Sequence, residues 1–262
     1  MKKVEILKKA YVERDVSWMY FNHRILQEAS KKEVPLLDRL SFLGIYSNNL
    51  DEFFRVRVAS LNRMLSGNAT REQSKQIKKT LKAIISLNES YAREYTAAVA
   101  EVFHALKQHR IRLLTEHELN AEQKDFLTRF FYDVLNGAIN PLWLNELDNL
   151  SVLEDNRIYL VVEMAEMSRP ESASAEENAP RHRELRKKYA LLQVPDRTYG
   201  RWVQVPASDG FMNIMYLDDV IRFCLPLVFL GFKGCYGYRA YSFKFTKDAE
   251  MEFDADADFS PL

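Results

Sequence analysis

The sequence has little cysteine and no long apolar run. Only Cys224 and Cys235 occur in 262 residues, without CxxC spacing, which indicates neither a disulfide framework nor a cysteine metal site and predicts two core thiols. No segment is apolar over the length of a membrane-spanning helix, and residues 1–9 lack the apolar core of a signal peptide. These absences predict a protein of a reducing compartment without a transmembrane segment, and we expect a cytoplasmic location.

The sequence also has no excess charge of either sign. Lys plus Arg and Asp plus Glu each number 37, so no global positive field predicts a nucleic-acid partner, and any anion site must be local. Four kinds of motif are missing from the sequence: the P-loop, the Rossmann fingerprint, the Gly-rich loop of protein kinases, and His or Cys groups with metal-ligand spacing. The sequence therefore predicts no metal site and none of these ways of holding a triphosphate.

The first part of the sequence has the apolar spacing of helices. Ser17 is placed to cap one helix, and Pro35 is placed to open a second. The apolar residues predicted to form the buried face of the first helix are Trp18, Phe21, Ile25, Leu26 and Ala29. A longer stripe from about residue 72 to residue 109 predicts a helix of more than ~50 Å. Such a helix would brace the others in an antiparallel bundle.

The segment 47–58 joins two apolar helical patterns through small polar residues and two carboxylates. This spacing predicts that a helix begins at Asn48 and Asn49. One interpretation is structural: an Asn caps free N–H groups, while Asp51 and Glu52 complement the helix dipole. The other is that a carboxamide, which both donates and accepts, faces the amino and ring-nitrogen edge of adenine. The two are compatible, since one Asn can cap while its neighbour binds.

The character of the sequence changes after His109, where β-prone runs alternate with two helical patterns. Asn120 begins a capping-box variant, and residues 217–229 predict a helix interrupted at Pro226. The strand-like runs are 111–114, 158–164, 189–194, 202–205 and 238–245. These patterns together predict a separate α+β domain.

Residues 166–186 are rich in Ser, Ala, Glu, Pro and Arg and have no apolar period. Such a segment predicts a mobile loop between two strands. Its basic cluster, which could contact a polyanion, consists of Arg181, His182, Arg183, Arg186, Lys187 and Lys188. Neighbouring glutamates dilute this charge and favour a solvated loop.

Three stretches, 14–29, 34–39 and 42–58, resemble the N-terminus of the polyphosphate kinase family. The runs 189–195 and 241–250 resemble the second, or head, domain of that family. The resemblance covers nearly the whole chain except 166–186. It implies an N-terminal all-α helical bundle over residues 1–110. A head domain of α+β class with a small, mostly antiparallel sheet would follow over residues 111–262.

This family passes phosphate from ATP through a phosphohistidine to a growing polyphosphate chain. The resemblance places the nucleophilic His and the Mg²⁺ ligands in two C-terminal domains that this sequence does not contain. It therefore implies an inactive fragment of an ATP:polyphosphate phosphotransferase, with ATP, ADP and polyphosphate as partners. None of the histidines matches the family's catalytic segment, and we expect surface or structural roles for His23, His104, His109, His117 and His182.

The resemblance assigns the family's nucleotide-contacting Asn to Asn49, on the adenine side of the ATP site. Asn48 is then the natural cap of the predicted helix. Four charged residues of the same segment are expected to order the site without separately assigned roles: Asp51, Glu52, Arg55 and Arg57.

The resemblance also implies self-association through the head domain. Six apolar residues suggest more apolar surface than a small domain buries: Val152, Ile158, Leu160, Leu191, Phe223 and Phe229. Two other functions stay open, a helical scaffold and an adaptor that binds anionic lipid through the head-like domain and the basic loop. Peripheral attachment to a membrane is therefore also left open.

Overall fold

A computed structural model describes residues 11–67, 69–147, 149–167, 185–232 and 234–247. The described residues separate into a helical unit that ends at His109 and an α+β unit from Arg110 to Thr246. The domain limits 1–110 and 111–262 stay predictions, because they include ranges that the structure does not describe.

In the part of the helical unit that the structure describes, there are four α-helices and one π-helical turn. Their bounds are α1 Arg14–Ala29, α2 Leu36–Phe53, the π-helical turn Phe54–Val58, α3 Ala59–Ser66 and α4 Arg71–Gln108. Helix α4 has 38 residues, which gives about 57 Å at 1.5 Å per residue. A capping box of Thr70 and Gln73 opens it, and its buried residues include Ile84, Tyr91 and Val102. The predicted long helix and the opening of α2 after Pro35 are confirmed.

The beginning and the buried face of α1 differ from the sequence-based prediction. Ser17 lies inside the helix, and Glu13 caps it instead by accepting hydrogen bonds from the Asp15 and Val16 amides at 2.8 and 3.1 Å. The most buried positions are Asp15, Met19, Asn22, Leu26 and Ala29, whereas Phe21 is 61% exposed. Leu26 and Ala29 agree with the predicted face, whereas the apolar pattern left out Asp15 and Asn22 because they are polar.

The predicted helix boundary at the Asn pair is wrong. Helix α2 is continuous from Leu36 to Phe53, so Asn48 and Asn49 lie in its interior. A carboxamide at these positions therefore caps no helix N-terminus. The helical path instead widens after Phe53 into the π-helical turn and then continues as α3.

The α+β unit contains three helices and seven strands in its described ranges. Its strands are β1 Ile111–Leu114, β2 Leu142–Trp143, β3 Arg157–Met167, β4 Leu185–Gln193, β5 Trp202–Val205, β6 Met212–Tyr216 and β7 Cys235–Phe245. Its helices are α5 Ala121–Phe130, α6 Asp196–Tyr199 and α7 Leu217–Val228. Helix α5 begins with the predicted capping box of Asn120 and Gln123. A second π-helical turn, Phe131–Leu135, extends the C-terminal end of α5.

The strands form two sheets. One has the order β1-β6-β5, with β1 parallel and β5 antiparallel to β6. The other is antiparallel throughout, with the order β2-β4-β3-β7. A helical N-terminal unit followed by an α+β unit with a small, mostly antiparallel sheet confirms the predicted fold class. Strand β6 was not among the predicted runs.

One face of the four-stranded sheet builds the core. Val162 on β3 lies opposite Ala190 on β4 and Ala240 on β7, and alternate residues along β3 share its face. These side chains pack in one cluster with Leu127 on α5 and Cys224 on α7. Burial raises the pKa of the Cys224 thiol to about 12, so it is an inert core group.

Two predictions about the second half need correction. Pro226 lies within α7, which continues to Val228, and so does not interrupt it. The predicted loop 166–186 is too long at both ends, because β3 extends to Met167 and β4 begins at Leu185. The remainder of that loop, with Arg181, His182 and Arg183 of its basic cluster, lies outside the described residues, whereas Arg186, Lys187 and Lys188 belong to β4.

The predicted apolar surplus is also smaller than expected. Leu160, Leu191 and Phe229 are at most 2% exposed. Ile158 and Phe223 pack against the core that contains Leu160 and Phe229, and Leu191 belongs to a second cluster with Leu153 and Tyr159. Val152, at 61% exposed, is the member of that set that faces solvent. Five of the six residues are therefore satisfied within the unit and give no argument for self-association.

Candidate functional site

The segment 47–58 lies on the last turns of α2 and on the π-helical turn, where it packs against α1. Three side-chain pairs connect α1 to this segment. The two run antiparallel, so that residues later in α1 pair with residues earlier in the segment. The pairs are Asp15 with Arg57, Trp18 with Phe53, and Asn22 with Asn49. The segment is thus fixed from its side by the polar and aromatic residues of α1.

Asn49 is half-buried and is held by Asn22. Its Nδ2 donates to the Asn22 Oδ1 at 3.1 Å, and the Asn22 Nδ2 donates to the backbone oxygen of Tyr46 at 3.2 Å. Within the described ranges, the Asn49 Oδ1 accepts no hydrogen bond. The carboxamide therefore keeps a free acceptor and one free N–H, which suits a ligand that both donates and accepts.

Asn48 differs from Asn49 in its surroundings. It is exposed, whereas Asn49 is half-buried against α1. Two adjacent residues of a helix point about 100° apart, which explains why only one of the pair reaches Asn22. The capping role expected for Asn48 is wrong, since the helix does not begin there.

Arg57 binds the buried Asp15 with both branches of its guanidinium. Its Nε lies 3.0 Å from Oδ1 and its Nη2 lies 3.1 Å from Oδ2, a bidentate geometry. Burial raises the pKa of the Asp15 carboxyl, and the nearby Arg14 guanidinium, 3.4 Å away, acts in the opposite direction. This pair fastens the π-helical turn to the first turn of α1.

The other predicted charged residues of the segment differ in exposure. Glu52 is exposed and pairs with Arg55 at 4.0 Å, one turn later on the same helical path. Asp51 and Arg55 are half-buried. The structure therefore brings Asn49 and Arg57 together on the α1 side of the segment, with Asn48 and Glu52 on its solvent side.

The π-helical turn begins directly after the residue that stacks on α1. The Trp18 and Phe53 rings are 4.1 Å apart and nearly parallel, at 3°, and Phe53 is only 3% exposed. A π-helical turn accommodates an extra residue and changes the direction of the side chains that follow, and such turns are frequent at functional sites. Here it brings Arg57 onto Asp15.

Sequence reasoning missed Asp15 and Asn22, the two residues of α1 that hold Arg57 and Asn49. They are separated by seven residues, two helical turns, and both are at most 3% exposed. The sequence does contain a signal for these two residues. Together with Met19, Leu26 and Ala29 they recur every three or four residues, which is the spacing of one buried helix face. A search that considers only apolar residues does not find Asp15 and Asn22.

The resemblance assigns the Mg²⁺ ligands to domains outside this sequence, and the residues around the segment offer no alternative set of ligands. Across the part of the chain that the structure describes, no three His, Cys, Asp or Glu side chains are grouped to hold a metal ion. The buried carboxylate, Asp15, is already paired with guanidinium groups. The chemistry that Asn49 offers to a ligand is hydrogen bonding by its carboxamide.

A concavity in the helical unit lies at the turn between α3 and α4. It is lined by Met64, Gly67, Ala69, Gln73, Gln76 and Ile77. None of these lining residues is charged, so this groove offers no counterion to a phosphate. It is also at the far end of α3 from the segment 47–58, which leaves Asn49 as the better nucleotide candidate.

Comparison with known proteins gives consistent matches along both units. The family model described as the polyphosphate kinase N-terminal domain matches residues 11–114, and that described as the polyphosphate kinase middle domain matches residues 122–261. Polyphosphate kinase of Vibrio parahaemolyticus is 34% identical over 261 residues, covering 97% of this chain and 34% of the relative. That of Escherichia coli K12 is 34% identical over 247 residues, covering 93% and 33%.

A solved structure agrees with these matches. The crystal structure of polyphosphate kinase from Porphyromonas gingivalis aligns with a TM-score of 0.74 and 30% identity, over 93% of this chain and 34% of that one. The chain thus spans about a third of the length of its relatives. Among the helices that the structure describes, none has the length and apolarity needed to cross a membrane. On the strength of both family models and these relatives, the chain belongs to the polyphosphate kinase family.

Proposed function

We propose that this chain supplies the adenine-side wall of the ATP site in an ATP:polyphosphate phosphotransferase. The observation that carries the proposal is the fixed, half-buried carboxamide of Asn49, which keeps a free acceptor and a free donor in the segment most similar to the family. An adenine edge has the complementary pair, an amino donor beside a ring-nitrogen acceptor. Arg57 supports this wall, because its ion pair with Asp15 fixes the position of the segment on α1.

We assign the transfer of phosphate to other segments of the enzyme. A phosphohistidine needs a His in a cationic pocket beside the phosphoryl group. His23 instead stacks on Tyr91 at 3.8 Å and lies 2.6 Å from the Glu94 carboxylate, and His117 is exposed. The proposed phosphohistidine route and its Mg²⁺ would therefore use residues outside this chain, and the isolated chain would be inactive.

We further propose that the exposed face of the four-stranded sheet carries self-association. Tyr241 is 63% exposed and lies beside Val161, and Tyr189, at 38%, is on the same face. These side chains alternate with the core residues. Tyr189 also donates to the Glu163 carboxylate at 3.2 Å, and the neighbouring Tyr159 and Leu191 are covered by a second apolar cluster, so the uncovered part of this face lies around Tyr241. No observation in the described ranges favours the scaffold or the lipid adaptor.

The nucleotide contact is tested by replacing the two adjacent asparagines in the full-length enzyme. Asn49→Ala removes the carboxamide near adenine, so we expect the KM for ATP to rise about ten-fold, with a smaller change in kcat. Asn48→Ala is the matched control: its side chain is exposed, so ATP kinetics and thermal stability should both stay close to the wild type. An unchanged KM in a folded Asn49→Ala enzyme would rule out the assignment.

A further inference from the structure

Asn22 is a buried polar residue whose hydrogen bonds both go to α2. It is 1% exposed, and its carboxamide lies between the backbone oxygen of Tyr46 and the side chain of Asn49. A buried carboxamide is costly unless both of its ends are satisfied. Here both are, and one of the two partners is the proposed nucleotide contact.

The backbone oxygen of Tyr46 fixes the orientation of both carboxamides. A carbonyl oxygen only accepts, so the Asn22 atom that faces it must be Nδ2, which leaves Oδ1 directed at Asn49. That oxygen also only accepts, so Asn49 must turn its Nδ2 toward it. The opposite rotamer of Asn49 would place two carbonyl oxygens against each other.

We infer that Asn22 is a positioning residue that holds the Asn49 carboxamide with its Oδ1 free for the base, an inference that rests on the proposed function. A free carbonyl oxygen accepts from the exocyclic amino group of adenine. It repels the carbonyl oxygen that hypoxanthine carries at the same position. Asn22 thereby sets the preference of the site for a purine with an amino group at this edge.

Holding α1 against α2 does not require Asn22. The stacked rings of Trp18 and Phe53 also join these two helices, and the bidentate pair of Arg57 and Asp15 joins α1 to the π-helical turn that follows α2. An apolar residue at position 22 would pack between the helices without the cost of burying a carboxamide. The polar side chain is explained by what it does to Asn49.

The test compares nucleotides in the full-length enzyme. Asn22→Leu has similar volume and removes both hydrogen bonds, so Asn49 becomes free to rotate. We expect the KM for ATP to rise about five-fold, kcat to stay within about two-fold, and the preference for ATP over inosine triphosphate to fall. Gln27→Leu, on the exposed side of the same helix, is the control and should leave both nucleotides unaffected.

A double-mutant cycle separates positioning from a general structural effect. If Asn22 acts through Asn49, then Asn22→Leu should change the KM for ATP by less than two-fold when Asn49 is already Ala. If Asn22→Leu fails to fold, Asn22→Ala replaces it. The alanine also lacks both the donor to the Tyr46 oxygen and the acceptor that holds the Asn49 Nδ2. It should lower the preference for ATP over inosine triphosphate in the same direction.

Three outcomes decide the matter. The inference is overturned if folded Asn22 variants keep the wild-type KM and nucleotide preference while Asn49→Ala raises the KM. It is also overturned if the Asn22 effect is equally large in the Asn49→Ala background. If Asn49→Ala itself leaves the KM for ATP unchanged, the proposed nucleotide contact fails and the inference fails with it.

Discussion

At the residue scale, burial decides the chemistry of single side chains, and Asp219 at the start of α7 is the clearest case. Burial and the adjacent Asp218 raise the pKa of the Asp219 carboxyl to about 6, although Arg222 lies beside it. Between pH 4 and pH 6 the folded chain therefore binds a proton that the unfolded chain has released, so the free energy of unfolding should fall as pH rises across this window. The expected loss is on the order of 1–3 kcal/mol. Urea unfolding at several pH values measures it.

The control for this prediction is Asp219→Asn, which has no proton to gain. Other carboxylates also titrate in this range, so the informative quantity is the difference between the two pH profiles. The wild type should lose stability relative to Asp219→Asn as pH rises through about 6. Parallel profiles would show that Asp219 titrates at its ordinary pKa.

At the scale of elements, the π-helical turn is held on α1 by one buried ion pair. Replacing Arg57 by Ala leaves the Asp15 carboxylate buried without its bidentate partner, which should destabilise the helical unit by about 2–4 kcal/mol. Arg14→Ala removes the other guanidinium near Asp15, but Arg14 is 69% exposed at its side chain, so about 0.5 kcal/mol is expected. Thermal unfolding followed by circular dichroism measures both. Equal losses in the two variants would mean that the bidentate pair adds nothing.

At the scale of the whole molecule, we propose that this chain contacts the nucleotide and that other segments of the enzyme transfer the phosphate. We expect the isolated chain to stay unlabelled and to form no polymer when it is incubated with γ-labelled ATP and Mg²⁺. The reason is that His23 is packed with Tyr91 and Glu94, and we expect none of the sequence's histidines to match the family's catalytic segment. Acid-labile, base-stable label on any histidine of the chain would refute this.

Self-association belongs to the same scale. We expect the chain to form dimers at micromolar concentration through the exposed face of the four-stranded sheet, since specific interfaces need contiguous apolar surface. Tyr241→Glu should shift the mass measured by light scattering toward the monomer. Met212→Glu, at an exposed position of the other sheet, should not. A monomeric mass for the wild type across that range would refute the prediction.

The sequence by itself determined the family, the fold class and the local signals that begin helices. Pro35, Thr70 with Gln73, and Asn120 with Gln123 act through the nearest few residues of the chain, so their effect can be read without tertiary structure. The long helix α4 is predictable for the same reason, because its apolar stripe repeats over many turns. The likeness of segment 47–58 to the family indicated Asn49 as a candidate, and its nucleotide contact stays a prediction.

Only the tertiary structure decided what surrounds Asn49. Small polar residues at 47–49 imitate a helix start, but packing against α1 keeps α2 continuous through them, because buried contacts outweigh local propensity. Asn22 lies 27 residues earlier in the chain, and its hydrogen bond to Asn49 depends on how two helices pack. Burial likewise decided the pKa of Asp219. The hydrogen bonds of Asn49 and the pKa of Asp219 depend on how the elements pack, so local sequence patterns do not predict them.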